Sequence, residues 1–279
     1  MKNYIYILIV LSTLHAIGFD AVNIFNSPND LALSGTGVAS RNLIYNSPAI
    51  SSPSISKDSN SIISFSANKW IQNFSGNSFM FCKDDFRLRF NSIGVEDIKV
   101  YDDTPSDSPL DIISSHYLSL GISKGFNLKS FVVGFGANFQ YSQLFTEDLS
   151  EITFDVGLKK IFSDSFRAGV LAENLSNIDS DTPSNYGIGC SFYNSKINSE
   201  ILLDYNYSSS YKGGMHIGLI QKIKTITLNG GYSTYDSRTS LSSGLKVNIN
   251  NKYNFQYSIL SLQNSNLGLS HYFGLEIVI

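Results

Sequence analysis

Charge is scarce in this sequence: only 15% of its 279 residues are Asp, Glu, Lys or Arg, where soluble domains carry roughly 25%. A surface so poor in charge needs something other than water around much of it. Neither sign dominates, since 20 basic residues face 23 acidic ones for a net charge of -3. That excludes the basic footprint of a nucleic-acid-binding protein. Cysteine is limited to Cys82 and Cys190, too few for a disulfide scaffold or for the three or four ligands of a zinc site; both read as small apolar fillers. Disorder is excluded by what is plentiful, because 19 Phe and 16 Tyr bring far more buriable area than a disordered chain carries.

The one uncharged apolar run near the start, Tyr4 to Leu14, follows Lys2 and is succeeded by Ala16 and Gly18 in a small-x-small arrangement. It is too short to be a transmembrane helix, which takes about 20 apolar residues, and reads as a cleaved secretory signal over residues 1–18. No cysteine stands at the cut after Gly18, so a lipoprotein anchor is excluded and the mature chain is expected to leave the cytoplasm.

From about residue 60 onward apolar residues recur at every second position, the period of a strand. Over 130–142, Phe131, Val133, Phe135, Ala137, Phe139 and Tyr141 share one face, opposite Val132, Gly134, Gly136, Asn138, Gln140 and Ser142. The same split recurs in Ile152, Phe154, Val156 and Leu158 against Thr153, Asp155, Gly157 and Lys159, and again between 184 and 193 and at the C-terminus. Fourteen strands are expected, near 60–70, 77–82, 85–95, 112–124, 130–143, 150–161, 165–175, 184–193, 197–206, 213–222, 225–235, 239–249, 253–263 and 267–279. A soluble sandwich would show charge on its outer faces, yet the polar faces here are mostly Gly, Ser, Asn, Gln and Thr. The pattern predicts an all-β fold, a transmembrane antiparallel barrel of about 14 strands spanning 59–279, with a lipid-facing exterior and a polar lumen.

The connections alternate too. Those near 124–129, 162–165, 194–196, 222–224 and 250–252 are mostly tight and Lys-bearing, whereas 96–111, 144–151 and 176–184 are longer or more acidic. Outer-membrane barrels alternate short periplasmic turns with longer extracellular loops in this way. Tyr141, Tyr186, Tyr205, Tyr207, Tyr232, Tyr235, Tyr253 and Tyr257 are candidates for interfacial aromatic girdles. Glycines gather on the expected inward faces, at Gly134, Gly136, Gly157, Gly187, Gly189, Gly231, Gly244 and Gly268. They either leave room for an inserted chain or ligand, or bend the strands to set barrel curvature.

Between signal and barrel, residues 19–58 are rich in Ser, Asn and Gly without a clean period, and long enough to fold back into a barrel mouth. The stretch LALSGTGVASRNLIYNSPAI, with Gly35 and Gly37 followed by Asn46, Pro48 and Ala49, resembles the opening of the PorV/PorQ family, relatives of the FadL-type outer-membrane proteins. Further along, Asn174-Leu175 closing a strand, Asp204 in ILLDYNY, the Gly-Gly-Tyr of TLNGGYS and the final LGLSHYFGLEIVI follow that family's order. The chain departs from it in the extra Ser47 and in Tyr272 where relatives carry Arg. The resemblance implies a FadL-like barrel whose N-terminal segment, here 19–58, is a hatch within the lumen, with Gly35, Gly37, Asn46, Pro48 and Ala49 as the hatch motif and His271 structural.

No enzyme chemistry is expected. His116, His216 and His271 stand isolated on strands, and Ser270 and His271, being adjacent, point to opposite faces. No nucleophile elbow, zincin helix or phosphate loop is present. The acidic run 96–111, with Asp102, Asp103 and Asp107, lacks the EF-hand spacing and reads as a solvated loop. No cofactor, catalytic residue or metal ligand is therefore assigned. The resemblance implies a non-enzymatic protein of the cell outer membrane of a Gram-negative-type bacterium that assists type IX secretion or surface attachment. Its partners would be outer-membrane lipid, the C-terminal signal domains of exported proteins and other secretion components, not nucleic acid. The alternative is a FadL-like channel taking up hydrophobic small molecules, with Ile24, Phe25, Leu31, Leu33 and Ile44 lining its path.

Overall fold

A computed structural model describes residues 18–41, 61–69, 74–101, 108–144, 147–177, 180–235, 238–262 and 269–279. The signal segment before Gly18, the end of the expected hatch at 42–58 and Asp102, Asp103 and Asp107 lie outside these described residues. Fourteen strands follow one another as β1 (Ser61–Lys69), β2 (Phe74–Lys83), β3 (Phe86–Val100), β4 (Asp111–Leu128), β5 (Phe131–Leu144), β6 (Glu147–Ile161) and β7 (Phe166–Leu175). They continue as β8 (Asn185–Asn194), β9 (Ser199–Ser208), β10 (Tyr211–Ile223), β11 (Ile226–Tyr235), β12 (Arg238–Ile249), β13 (Tyr253–Leu262) and β14 (Leu269–Val278).

Each strand pairs with its sequence neighbours, and β1 pairs antiparallel with β14 to close a barrel. Ile62 lies opposite Val278 and Lys69 opposite His271. The Ser61 N–H donates to the Ile279 carbonyl at 2.9 Å and the Ile279 N–H returns to the Ser61 carbonyl at 2.8 Å. Closure removes the sheet edge, whose unpaired backbone groups would be costly in hydrocarbon.

The two-residue period sorts side chains as the sequence predicts. Phe131, Phe135, Phe139, Ile152, Phe154 and Leu158 are exposed on the outside, while Val132, Asn138, Gln140, Ser142, Thr153 and Asp155 are buried inside. An exterior of bare Phe, Leu and Ile around a polar interior is the inside-out arrangement of a transmembrane barrel, so the lipid-facing fold stands and the soluble sandwich falls.

One end of the barrel carries tight turns at Asp84–Asp85, Lys129–Ser130 and Lys224–Thr225. Their first residues take left-handed backbone, with φ of 51° at Asp84, 56° at Lys129 and 53° at Lys224, as two-residue hairpin turns require. The opposite end holds the longer connections 101–110 and 176–184.

Three sequence-based expectations need correction. Residues 124–128 are strand, since β4 runs to Leu128 and pairs with Phe131. The stretch 144–151 is mostly strand as well: β5 and β6 pair out to Leu144 opposite Glu147. Tyr235 belongs to no girdle, because it points inward with its ring 4.6 Å from that of His216; Tyr186, Tyr205, Tyr207 and Tyr232 are exposed near the long-loop end.

Strands β3 to β6 are the longest, at 15, 18, 14 and 15 residues. At their far ends the alternation stops: Glu96, Asp97, Lys99 and Val100, then Asp111 and Ile112, then Glu147 to Ser150 are all exposed, whichever face they occupy. These hairpins project beyond the rim of the other strands.

Candidate functional site

Residues 18–41 lie in the lumen as a 3₁₀ turn (Gly18–Asn23), a short helix α1 (Pro28–Ala32) and an extended tail to Arg41. Local chemistry sets the shape of α1. The Ser27 hydroxyl caps it by accepting the Asp30 N–H at 3.2 Å, and Pro28 occupies the first turn, where a missing N–H costs nothing. It ends in a Schellman pattern, with the Gly35 N–H donating to the Asp30 carbonyl and the Ser34 N–H to the Leu31 carbonyl, each at 2.9 Å. Gly35 has φ of 76°, a left-handed conformation that costs glycine little.

The tail is hydrogen-bonded to the wall residue by residue. Nδ1 of His216 meets the Ser34 carbonyl at 2.6 Å. Asp204 accepts the N–H groups of Gly37 at 2.6 Å and Val38 at 3.1 Å. Ser191 donates to the Ala39 carbonyl, Lys159 Nζ to the Ser40 carbonyl, and the Arg41 N–H goes to Glu200 at 2.9 Å. On the other flank Ser242 donates to the Ala32 carbonyl, Ser66 and Ser78 donate to the Asn26 carbonyl, and Asn229 Nδ2 donates to Asn29 Oδ1. Asp204 and His216 are direct cross-strand partners, so one inward row presents both groups to the turn at 34–38.

Space for the segment comes from inward glycines. A Cβ at Gly231 would sit 2.5 Å from the Leu33 carbonyl carbon, one at Gly244 2.5 Å from the Ala32 Cβ, and one at Gly274 2.9 Å from Pro28. A Cβ at Gly187 or Gly189 would lie 3.0 or 3.1 Å from Val38, and closer still to Asn206 or Asp204 of the neighbouring strand. At these positions the glycines make room for an inserted chain, rather than serving curvature alone.

Three apolar patches interrupt the polar wall, and the inserted segment covers each. Phe19 and Ala21 pack on Ile93 and Tyr117, Leu33 on Leu202 and Ile220, and Leu31 with Phe25 on Leu260 and Tyr272.

Elsewhere the wall fills itself. Arg89 of β3 pairs with Asp155 of β6 at 3.0 Å and donates to Asn138 at 2.7 Å. Asp155 also accepts Asn138 Nδ2 and the Asn174 N–H, each at 2.9 Å. Gln140 donates to Thr153 and Asn174. Asn174, with φ of 56°, sits where the β6–β7 register shifts, which gives its place before Leu175 a physical reason: a bulge turns its amide onto Asp155. A polar cavity of about 50 Å³ remains among Arg89, Asn91, Asp155, Glu173 and Asn185. A larger one, about 330 Å³, opens at the short-turn end among Lys222, Lys246, Asn248, Asn254 and Glu276.

Of the sequence-predicted hatch residues, Gly35 and Gly37 meet at the turn held by His216 and Asp204; Asn46, Pro48 and Ala49 lie outside the described residues. His271 faces outward and its Nδ1 meets the Tyr257 hydroxyl at 2.8 Å. Sequence reasoning missed His216 and the buried Arg89–Asp155 pair. The available signal was a His or charged residue on a face otherwise made of Gly, Ser and Asn, since such a face is polar without being solvated.

The sequence matches no protein-family model and no curated protein. Solved structures resemble it strongly in shape. The "CymD monoaromatic hydrocarbon channel" aligns with a TM-score of 0.59 at 10% identity, over 91% of this chain and 96% of that one. The toluene transporter TbuX of Ralstonia pickettii gives 0.61 at 12% identity, over 92% and 98%. A FadL homologue of Pseudomonas aeruginosa gives 0.56 at 10% identity, over 91% and 98%. At such identity the likeness establishes architecture, and the chain has the FadL-like fourteen-stranded outer-membrane barrel fold.

Proposed function

We propose that the protein is an outer-membrane channel for small hydrophobic molecules, gated by the segment 18–41 acting as a hatch. The observation that carries this reading is the set of three apolar wall patches, at Ile93 and Tyr117, Leu202 and Ile220, and Leu260 and Tyr272, each covered by hatch side chains. A lumen filled for stability alone has no need of greasy stations along a polar wall, whereas a hydrophobic solute displacing the hatch would find them. Similar structures described as hydrocarbon channels and toluene transporters support the same reading. It assigns the chain no catalytic step.

The test is a tether. The hydroxyls of Ser34 and Ser242 lie 2.7 Å apart, so the pair Ser34→Cys with Ser242→Cys places two thiols within disulfide reach. Proteoliposomes bearing the reduced variant should take up a labelled monoaromatic hydrocarbon, lose that uptake on oxidation and regain it on reduction. Equal uptake in both redox states would overturn the gating, and no uptake above empty vesicles would overturn the channel.

A second reading follows from the projecting β3–β6 hairpins, which expose Glu96, Asp97, Asp111, Glu147 and Asp148 together with Lys99. They suit a barrel that binds exported proteins at the surface, as the PorV/PorQ resemblance implies. Co-purification of secretion components with the detergent-solubilised barrel, lost when 98–112 is shortened to a tight turn, supports that role; the barrel recovered alone argues against it.

A further inference from the structure

We propose that the short-turn end of the lumen contains a binding site for a free phosphate-class oxyanion, built on Arg167 and Lys159. The proposal is independent of what crosses the barrel. In the β6–β7 register Lys159 lies opposite Gly169 and Ile161 opposite Arg167, so the two cations point inward from diagonal positions, about 7–8 Å apart on such a lattice.

The hatch tail roofs them, through Lys159 Nζ to the Ser40 carbonyl at 3.0 Å and Ser191 Oγ to the Ala39 carbonyl at 3.1 Å. Gly169 allows the approach, since a Cβ there would sit 3.0 Å from the Val38 carbonyl oxygen. Lys159 is 3% and Arg167 4% exposed. Nε and Nη1 of Arg167 are buried, and neither has a hydrogen-bond partner among the described residues. A buried guanidinium with two N–H groups left open in this way calls for an acceptor, and a charged oxyanion is the strongest one available to it.

Charge selects the ligand. Arg41 lies within Coulombic reach of Arg167, opposed by Glu200 and Asp164; Arg87, which reaches Lys159, is itself faced by Glu173. Arg41, Lys159 and Arg167 outnumber Glu200 and Asp164, and buried charge is stable only when compensated. A phosphate group supplies the missing negative charge and several acceptor oxygens for the open Arg167 N–H groups.

The experiment is calorimetric titration of the folded barrel in detergent, in a chloride buffer, with inorganic phosphate. One saturable site per chain is expected. Arg167→Gln should weaken it at least tenfold and Lys159→Met about fivefold, while Lys160→Met should change nothing, because Lys160 packs on the Phe131 and Phe162 rings. If Arg167→Gln does not fold, Arg167→Lys keeps the charge, removes the open guanidinium N–H groups and should still weaken binding severalfold. Phosphate should also raise the urea midpoint of the wild type and leave that of the Arg167 variant unmoved. Absence of saturable heat, or equal affinity in the Arg167 and Lys159 variants, overturns the site. If soluble dihexanoyl phosphatidic acid binds and displaces phosphate, the occupant is a lipid headgroup and the free-anion assignment is overturned.

Discussion

The two halves of the inner wall solve one problem in opposite ways. From β8 round to β14 many inward positions are Gly or Ser, and a separate stretch of chain fills the volume they leave. From β3 to β7 the inward positions carry Arg89, Asn138, Gln140, Asp155 and Asn174, which reach across and bond to one another. A barrel of about eight strands can be packed by its own side chains; at fourteen, the wall needs help over part of its circumference. The Arg89, Asn138, Gln140, Asp155 and Asn174 network is made within the wall and takes no partner from the inserted segment. Displacement of the segment, as proposed above, would strip the β8–β14 wall of most of these contacts, and on the other side would uncover Ile93 and Tyr117 and part Lys159 from the Ser40 carbonyl.

The largest expected effect lies in the β3–β7 half. Asp155→Ala removes the carboxylate 3.0 Å from the buried Arg89 guanidinium, and unfolding by urea in lipid should show a loss of about 3–5 kcal/mol, whereas the double change Arg89→Met with Asp155→Leu should recover most of it. On the outer surface, Phe135, 53% exposed, faces hydrocarbon; Phe135→Arg should cost about 2–4 kcal/mol by the same measurement if it lies near the bilayer midplane. In the hatch-filled half, Gly231→Val pushes on the backbone at Leu33 and Ser34. A cost of about 1–3 kcal/mol is expected for overpacking, with a second sign that separates the halves: proteolysis of residues 30–41 should accelerate in this variant and not in the Asp155 one. Smallest is Lys246→Met. Its partner Glu276 keeps Asn254 and Gln256 as donors and the lysine is only partly buried, so the change should stay under about 1 kcal/mol.

Much of the barrel was legible because a strand with lipid on one side and polar groups on the other writes a two-residue period, and Phe131 to Ser142 shows it without interruption. Strand ends were less legible. Leu128 still pairs with Phe131 and Leu144 with Glu147, and Gly125 and Asn127, which read as turn residues, sit in the ladder because neighbouring strands supply their backbone partners. The site was legible in its glycines and not in its anchors. Asp204 and His216 are 12 positions apart in sequence and become neighbours only through the β9–β10 register; the hatch turn they hold lies some 170 residues away, as the separation of Gly37 from Asp204 attests. The period says which face a residue takes and nothing about which distant segment will rest there.

The seam where Ser61 and Ile279 exchange hydrogen bonds joins the first strand to the last, so this molecule cannot be finished piecemeal. Until the final strand arrives, one flank of β1 has nothing to zip against, and no shorter intermediate offers a complete ring to the bilayer. Biogenesis must therefore hold the growing polypeptide open, shielded from water and from its own copies, and then join its two ends in one concluding event.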